Sequence, residues 1–373
     1  MDFSYLISPT ILFSICIYSS IMHKANVLPH LSKINHRYDY IDGLRGLAAI
    51  LVVCSHSWRF RDIGFTNDEI TKADYFYIGN FGALGVQLFF CITGFLFFKK
   101  IISQGLEIDW KQFYISRWKR LAPLYMAFCL CVIILGIMIA GPGAVNASAL
   151  TSAAKLMTFG FMGGKFAVGN YDSGYITPIL WTLPYEWKFY FSIPAIAVIC
   201  SSRNLLITSI MGVALLYICI STSDNFNVWV FFLSGGLAAY LDKFKSNLVS
   251  SIANVSFYLS AAVILTTMFS HDIDKYGAFR AITSTILFIC AVIGKPRILR
   301  FKGLVYAGEI SYGIYLFHLM VIFIFNHFAS KFLFNSIISG YEVLALVAAY
   351  CAVLTLTTTL TFKYIEYPFM RKK

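Results

Sequence analysis

The stretch Tyr40–Phe60, YIDGLRGLAAILVVCSHSWRF, decides how the chain is read. Its entry is charged and glycine-rich (Asp42, Gly43, Arg45, Gly46). Its middle is an apolar run from Leu47 to Cys54, and His56 follows. An arginine and a histidine at the two ends of one membrane helix are costly, so they call for an explanation. On a helix, eleven steps of about 100° return to nearly the same face, with a rise of roughly 16 Å. Arg45 and His56 are therefore expected to line one groove at different depths. Spacing alone explains them equally well as anchors at the two helix ends.

The rest of the chain places this helix in a bilayer. Of 373 residues, 58% are hydrophobic and 13% charged, and the mean hydropathy is +0.71. A soluble domain carries about 25% charge. Apolar runs of spanning length fall at 4–22, 43–59, 80–101, 121–140, 179–200, 204–221, 226–241, 250–269, 279–294, 304–327 and 341–362. They predict an all-α polytopic membrane protein of about 11 transmembrane helices. Alternating the sides puts 21 of the 30 Lys and Arg residues in the loops on one side, beginning with 23–45, and eight on the other. Lys188 lies inside a helix. This bias marks the richer side as cytosolic, with the N-terminus outside and the C-terminal residues 371–373 inside. It explains the net charge of +12 as topology, so no nucleic-acid partner is expected.

Between the helices, residues 141–178 form the longest outer segment. A short interfacial helix is expected at 148–160, and loop elsewhere. The segment reads either as a plain connector or as a lid or acceptor contact. Nine cysteines, mostly within apolar runs and without metal-ligand spacing, read as buried thiols. No Lys or Arg precedes Lys24, so 4–22 reads as a retained membrane segment rather than a cleaved signal. Neither an internal repeat nor an appended soluble domain is visible, and the chain stops at residue 373.

Four constellations carry candidate chemistry. In the first, His56 has the properties of a general base, and Arg45 is a permanent cation suited to phosphate or carboxylate, with Asp42 one turn earlier to orient it. In the second, FYISRWKRLAPLY (113–125), Arg117 and Arg120 share a face at the start of a helix. They read as positive-inside anchors or as a phosphate clamp. In the third, LWTLPYEWKFYFSIP (180–194), Glu186 and Lys188 are too close in sequence to pair on one helix, so Glu186 faces a partner helix or a polar cavity. In the fourth, GEISYGIYLFHLMVIF (308–323), Ser311, Tyr312, Tyr315 and His318 share a broad face. Glu366 reads as a cap or salt-bridge partner. No phosphate-binding glycine loop, zinc spacing or serine-hydrolase elbow is present, and no metal is expected.

Taken in order, these motifs resemble the membrane acyltransferase-3 family, which O-acylates bacterial cell-surface glycans. Besides the arginine–histidine helix, FFCITGFLF (89–97) resembles the family's second-helix pattern, with Thr93 where serine is usual. FYISRWKRLAPLY resembles its RxxR segment, and ISYGIYLFH and YIEYP resemble its closing motifs. LWTLPYEWKFY departs by carrying Trp187 where a second acid is usual, so no pair of acids is expected there.

The resemblance implies a ten-helix acyltransferase domain at 37–373, preceded by an extra membrane helix and cytosolic linker at 1–36. It implies a stand-alone type without a fused SGNH domain. The activity implied is transfer of an acyl group, usually acetyl, from cytosolic acetyl-CoA to a hydroxyl of a surface polysaccharide or lipid-linked saccharide such as O-antigen. The location implied is the bacterial inner membrane. His56 and Arg45 would be the catalytic pair, Arg117 and Arg120 would hold the CoA phosphates, and Glu186, Trp181, Tyr312 and His318 would contact substrate. The competing class is a glycan-precursor transporter or flippase, which also needs buried polar groups.

Overall fold

Each apolar run becomes helical. The computed structural model describes residues 4–32, 38–63, 72–202, 204–244, 246–268, 273–333 and 340–370. Its principal helices are α1 (Ser4–Lys24), α2 (Asp39–Ser55), α3 (Lys72–Gln104), α4 (Trp110–Ala140), α5 (Ala147–Leu156), α6 (Thr182–Ser201), α7 (Leu205–Ser221), α8 (Val228–Leu241), α9 (Asn247–Thr267), α10 (Ala278–Gly294), α11 (Lys302–Glu309), α12 (Ser311–Leu333) and α13 (Gly340–Thr361). Among the described residues, α1, α3, α4, α9, α12 and α13 contain segments long and apolar enough to cross a membrane, and α7 and α10 are shorter apolar helices. The chain is an all-α polytopic membrane protein. The basic residues 371–373, and Lys33 and Arg37 of the charge count, lie outside the described residues.

α2 runs through the middle of the bundle, against α1, α3, α11 and α12. Its glycines explain how. A Cβ on Gly43 would stand 1.7 Å from the Leu299 carbonyl oxygen, and one on Gly46 would stand 2.2 Å from that of Leu304. Small residues let backbones touch where lipid supplies no hydrophobic drive between helices. With the glycine face pressed on the 297–300 turn and α11, Leu44, Ala48 and Ile50 are fully buried, and Arg45 is left to face a cavity. Exposed side chains such as Leu206, Val213, Leu248 and Leu259 lie on α7 and α9, as expected of surfaces facing acyl chains.

Two expectations change. The single helix expected at 304–327 is two, α11 and α12, interrupted at Ile310. Irregular backbone at membrane depth is tolerated where it borders a cavity, and Ser311, the first residue after the break, lines one.

The short helix expected at 148–160 is present as α5 (Ala147–Leu156), but the rest of 141–178 is not plain loop. Asn146 caps α5 by accepting from the Ala149 N–H at 3.0 Å. α5 folds back beside α4, where the Tyr125 hydroxyl donates to the Leu156 carbonyl at 2.6 Å. Tyr125 precedes the end of α4 by about 22 Å of helix rise. The chain then turns through Phe159 and Gly160, both at positive φ, and forms a two-residue hairpin, Ala167–Val168 with Tyr171–Asp172.

Candidate functional site

Arg45 opens into a cavity of about 310 Å³ that Arg117, Arg120, Glu186, Tyr190 and Tyr312 also line. α4 aims its two arginines from a capped start, in which the Asp109 carboxylate accepts from the Gln112 N–H at 2.9 Å. Arg45, Arg120 and Glu186 each have a local companion. Arg45 Nη1 is 3.4 Å from Asp42 Oδ1. Arg120 Nη1 is 3.8 Å from Glu366 Oε2. The π-helical turn Phe362–Glu366 presents that fully buried carboxylate. Glu186 accepts from the Tyr190 hydroxyl one turn along its own helix, so no ion pair with a neighbouring helix is needed to satisfy it. Lys188 turns away and donates to the Thr222 carbonyl. The Tyr312 hydroxyl donates to the Leu121 carbonyl at 3.1 Å and ties α12 to α4.

His56, at the end of α2, lines a second cavity of about 350 Å³ with Trp58, Arg59, Trp181, Lys275 and Tyr276. Arg59 is fixed there. Its Nη1 donates to the Tyr175 carbonyl at 2.7 Å, and its guanidinium lies 3.7 Å over the Tyr175 ring. Asn326 of α12 donates to the Arg59 carbonyl at 2.8 Å. The end of the 141–178 segment, with Pro178, Ile179 and Trp181, supplies one wall. Partial burial lowers the pKa of the Lys275 ammonium from its usual value. No carboxylate lines this cavity among the described residues. His318 of α12 lies beside His56 in a tilted arrangement, with ring centroids 5.2 Å apart.

Val86 and Tyr315 line both cavities. The Tyr315 hydroxyl donates to the Ile179 carbonyl at 2.6 Å and lies 2.7 Å from the Thr182 hydroxyl. A hydrogen-bonded tyrosine thus partitions the space. Arg45 gathers with Arg117, Arg120, Glu186 and Tyr312, whereas His56 gathers with Trp181 and His318. Arg45 and His56, expected to line one groove at different depths, line two neighbouring cavities that share Val86 and Tyr315. Helical periodicity places them on one face but is blind to a side chain entering from α12.

Sequence reasoning also passed over Arg59 and Tyr190. Their signals are a cation three residues after His56 and a hydroxyl four residues after Glu186. All nine cysteines are free thiols, six of them buried. No three His, Cys, Asp or Glu side chains gather as metal ligands among the described residues.

Comparison with known proteins gives two results. A family model described as an acyltransferase domain matches residues 38–363. The chain is 25% identical to the O-acetyltransferase OatA of Staphylococcus aureus over 379 aligned residues, which cover 89% of this chain and 57% of that protein. It is 26% identical to the peptidoglycan O-acetyltransferase OatA of Listeria monocytogenes over 324 residues, covering 76% and 49%. The chain therefore spans about half the length of these relatives. No solved structure matches it.

Proposed function

The chain belongs to this acyltransferase family, and from that premise we propose that it moves an acyl group, acetyl by preference, from cytosolic acyl-CoA to a hydroxyl of a surface polysaccharide or lipid-linked saccharide such as O-antigen. The observation that carries the reading is the pair of cavities along α2, one lined by three arginines and the other by His56, meeting at Tyr315. The names of the relatives support the acetyl group and a glycan acceptor. The 21-to-8 distribution of Lys and Arg supports a cytosolic mouth for the arginine cavity in the bacterial inner membrane, with the N-terminus outside and the C-terminus inside.

In this reading Arg117 and Arg120 hold the CoA phosphates by charge-assisted hydrogen bonds. Arg45 serves the donor on the same side of Tyr315. Glu186 and Tyr312 line the donor's path. The pantetheine arm passes Tyr315 and brings the thioester toward His56, roughly 16 Å of helix rise from Arg45. Trp181 stacks on the acceptor sugar. His56 takes the proton of the acceptor hydroxyl as its oxygen attacks the thioester carbonyl. The new C–O bond forms, the C–S bond breaks, and His56 returns the proton to the leaving thiolate.

Mass spectrometry of surface glycan from cells carrying the wild-type gene, no gene, or His56→Ala tests the proposal. One acetyl group per modified sugar is expected only with the wild type. Altered glycan export without any change in glycan mass would point to a flippase and overturn it.

A further inference from the structure

One buried nitrogen stands outside the chemistry above. His318 is 1% exposed. Its Nδ1 lies 2.8 Å from the Tyr315 carbonyl and 3.1 Å from that of Ile314. Carbonyl oxygens only accept, so Nδ1 carries the hydrogen and Nε2 keeps its lone pair. The Tyr350 hydroxyl steadies the same turn by donating to the His318 carbonyl at 3.1 Å. Nε2 is buried and has no hydrogen-bond partner among the described residues. Buried acceptors are seldom left dry, and one that is calls for a partner.

Across from it stands His56, with ring centroids 5.2 Å apart and planes inclined at 36°. His56 Nδ1 is likewise buried and unpaired, while the ring opens to its cavity. Two facing rings thus each hold one unsatisfied nitrogen across a 5.2 Å centroid gap, and the broad χ2 torsion of histidine allows the His56 ring to turn toward His318. No carboxylate pairs with either histidine among the described residues. The cation near both is Arg59, itself anchored on Tyr175.

We propose that His318 is the positioning partner of His56, its Nε2 accepting a hydrogen bond from His56 Nδ1–H. This role rests on the reading of His56 as the base. The bond selects the His56 tautomer that leaves Nε2 free to take the acceptor's proton. It also stabilises the imidazolium while the C–O bond forms and the C–S bond breaks. The proton then leaves from His56 Nε2 to the thiolate, and the His318 proton never moves. A neutral imidazole, locked by two backbone carbonyls, fills the place a carboxylate takes in a hydrolase triad.

The test uses membrane vesicles bearing the native glycan, with initial rates read from labelled acetyl-CoA. His318→Leu is expected to lower kcat by about 10²-fold with KM for acetyl-CoA unchanged. His318→Gln puts an acceptor oxygen where Nε2 stands and is expected to stay within about 10-fold of wild type. Wild-type kcat in His318→Leu, equal losses in the Leu and Gln variants, or a loss confined to KM would each overturn the pairing. Should the Leu variant fail to accumulate in the membrane, His318→Asn replaces it. Its shorter amide withdraws the acceptor, so kcat is expected to fall well below that of the Gln variant, and parity between the two overturns the proposal. Active His56→Ala would instead remove the base assignment itself, whereas inactive His56→Ala beside fully active His318→Leu removes the pairing alone.

Discussion

The arginine cavity and the histidine cavity are nearly equal in volume, about 310 and 350 Å³, and share Tyr315 as a wall. Their chemistry differs in kind. In the first, strong charges are met by companions: Arg45 by Asp42, Arg120 by Glu366, and the Glu186 carboxylate by Tyr190. In the second, aromatic rings stand beside Arg59 and Lys275, and the unpaired buried atoms at or beside it are Arg59 Nε and the ring nitrogens His56 Nδ1 and His318 Nε2, among the described residues. A bilayer penalises an isolated charge far more than an unpaired neutral group. The contrast fits one chamber made to hold an anion and another made to move a proton.

Substitutions on the two sides should separate these roles. The largest effect is expected from His56→Ala, with a loss of acyl transfer of about 10² to 10⁴-fold and unchanged donor affinity. Matched calorimetry with acetyl-CoA and rate measurements check this, and weakened donor binding in that variant would merge the two chambers into one function.

Next is Arg120→Ala, which strips the partner from a fully buried carboxylate. Breaking such a pair costs about 3–5 kcal/mol, so thermal unfolding in detergent should begin well below the wild-type temperature. Adding Glu366→Ala should restore most of the difference, and a double variant no more stable than the single would show that the pair is not the cause.

Arg117 has no salt bridge to lose among the described residues and tests the clamp more cleanly. In the proposed clamp, charge-assisted bonds to phosphate would be worth about 1.5–3 kcal/mol. Arg117→Ala is therefore expected to raise KM for acetyl-CoA by about 10- to 100-fold, at an unchanged melting temperature. An unaltered KM would remove Arg117 from the donor site.

The smallest effect belongs to the wall. Tyr315→Phe forfeits the bonds to Ile179 and Thr182, at about 1 kcal/mol each. A modest fall in stability is expected, together with faster hydrolysis of acetyl-CoA in the absence of acceptor. Hydrolysis at the wild-type rate would mean that the hydroxyl does not keep the chambers apart.

Much of the molecule is legible in its sequence. Apolar length alone located the membrane segments, because a bilayer demands long runs whose backbone groups are satisfied internally. The glycine-rich entry of α2 was visible, but not that Gly43 and Gly46 meet the backbones of Leu299 and Leu304. The arginines and Glu186 stood out because charge is rare in such runs.

Other features were invisible to local patterns. Arg45 and His56 share a helical face, a relation of period, yet Tyr315 arrives between their chambers from a helix more than 250 residues away in the chain. The same holds for His318 facing His56, for Glu366 reaching Arg120, and for α5 folding back on α4. Composition, periodicity and charge are properties of neighbours along the chain and so can be read from it. The partition of one groove into two rooms, and the pairing of each polar group within them, arise from contacts between distant segments and exist only once the helices pack.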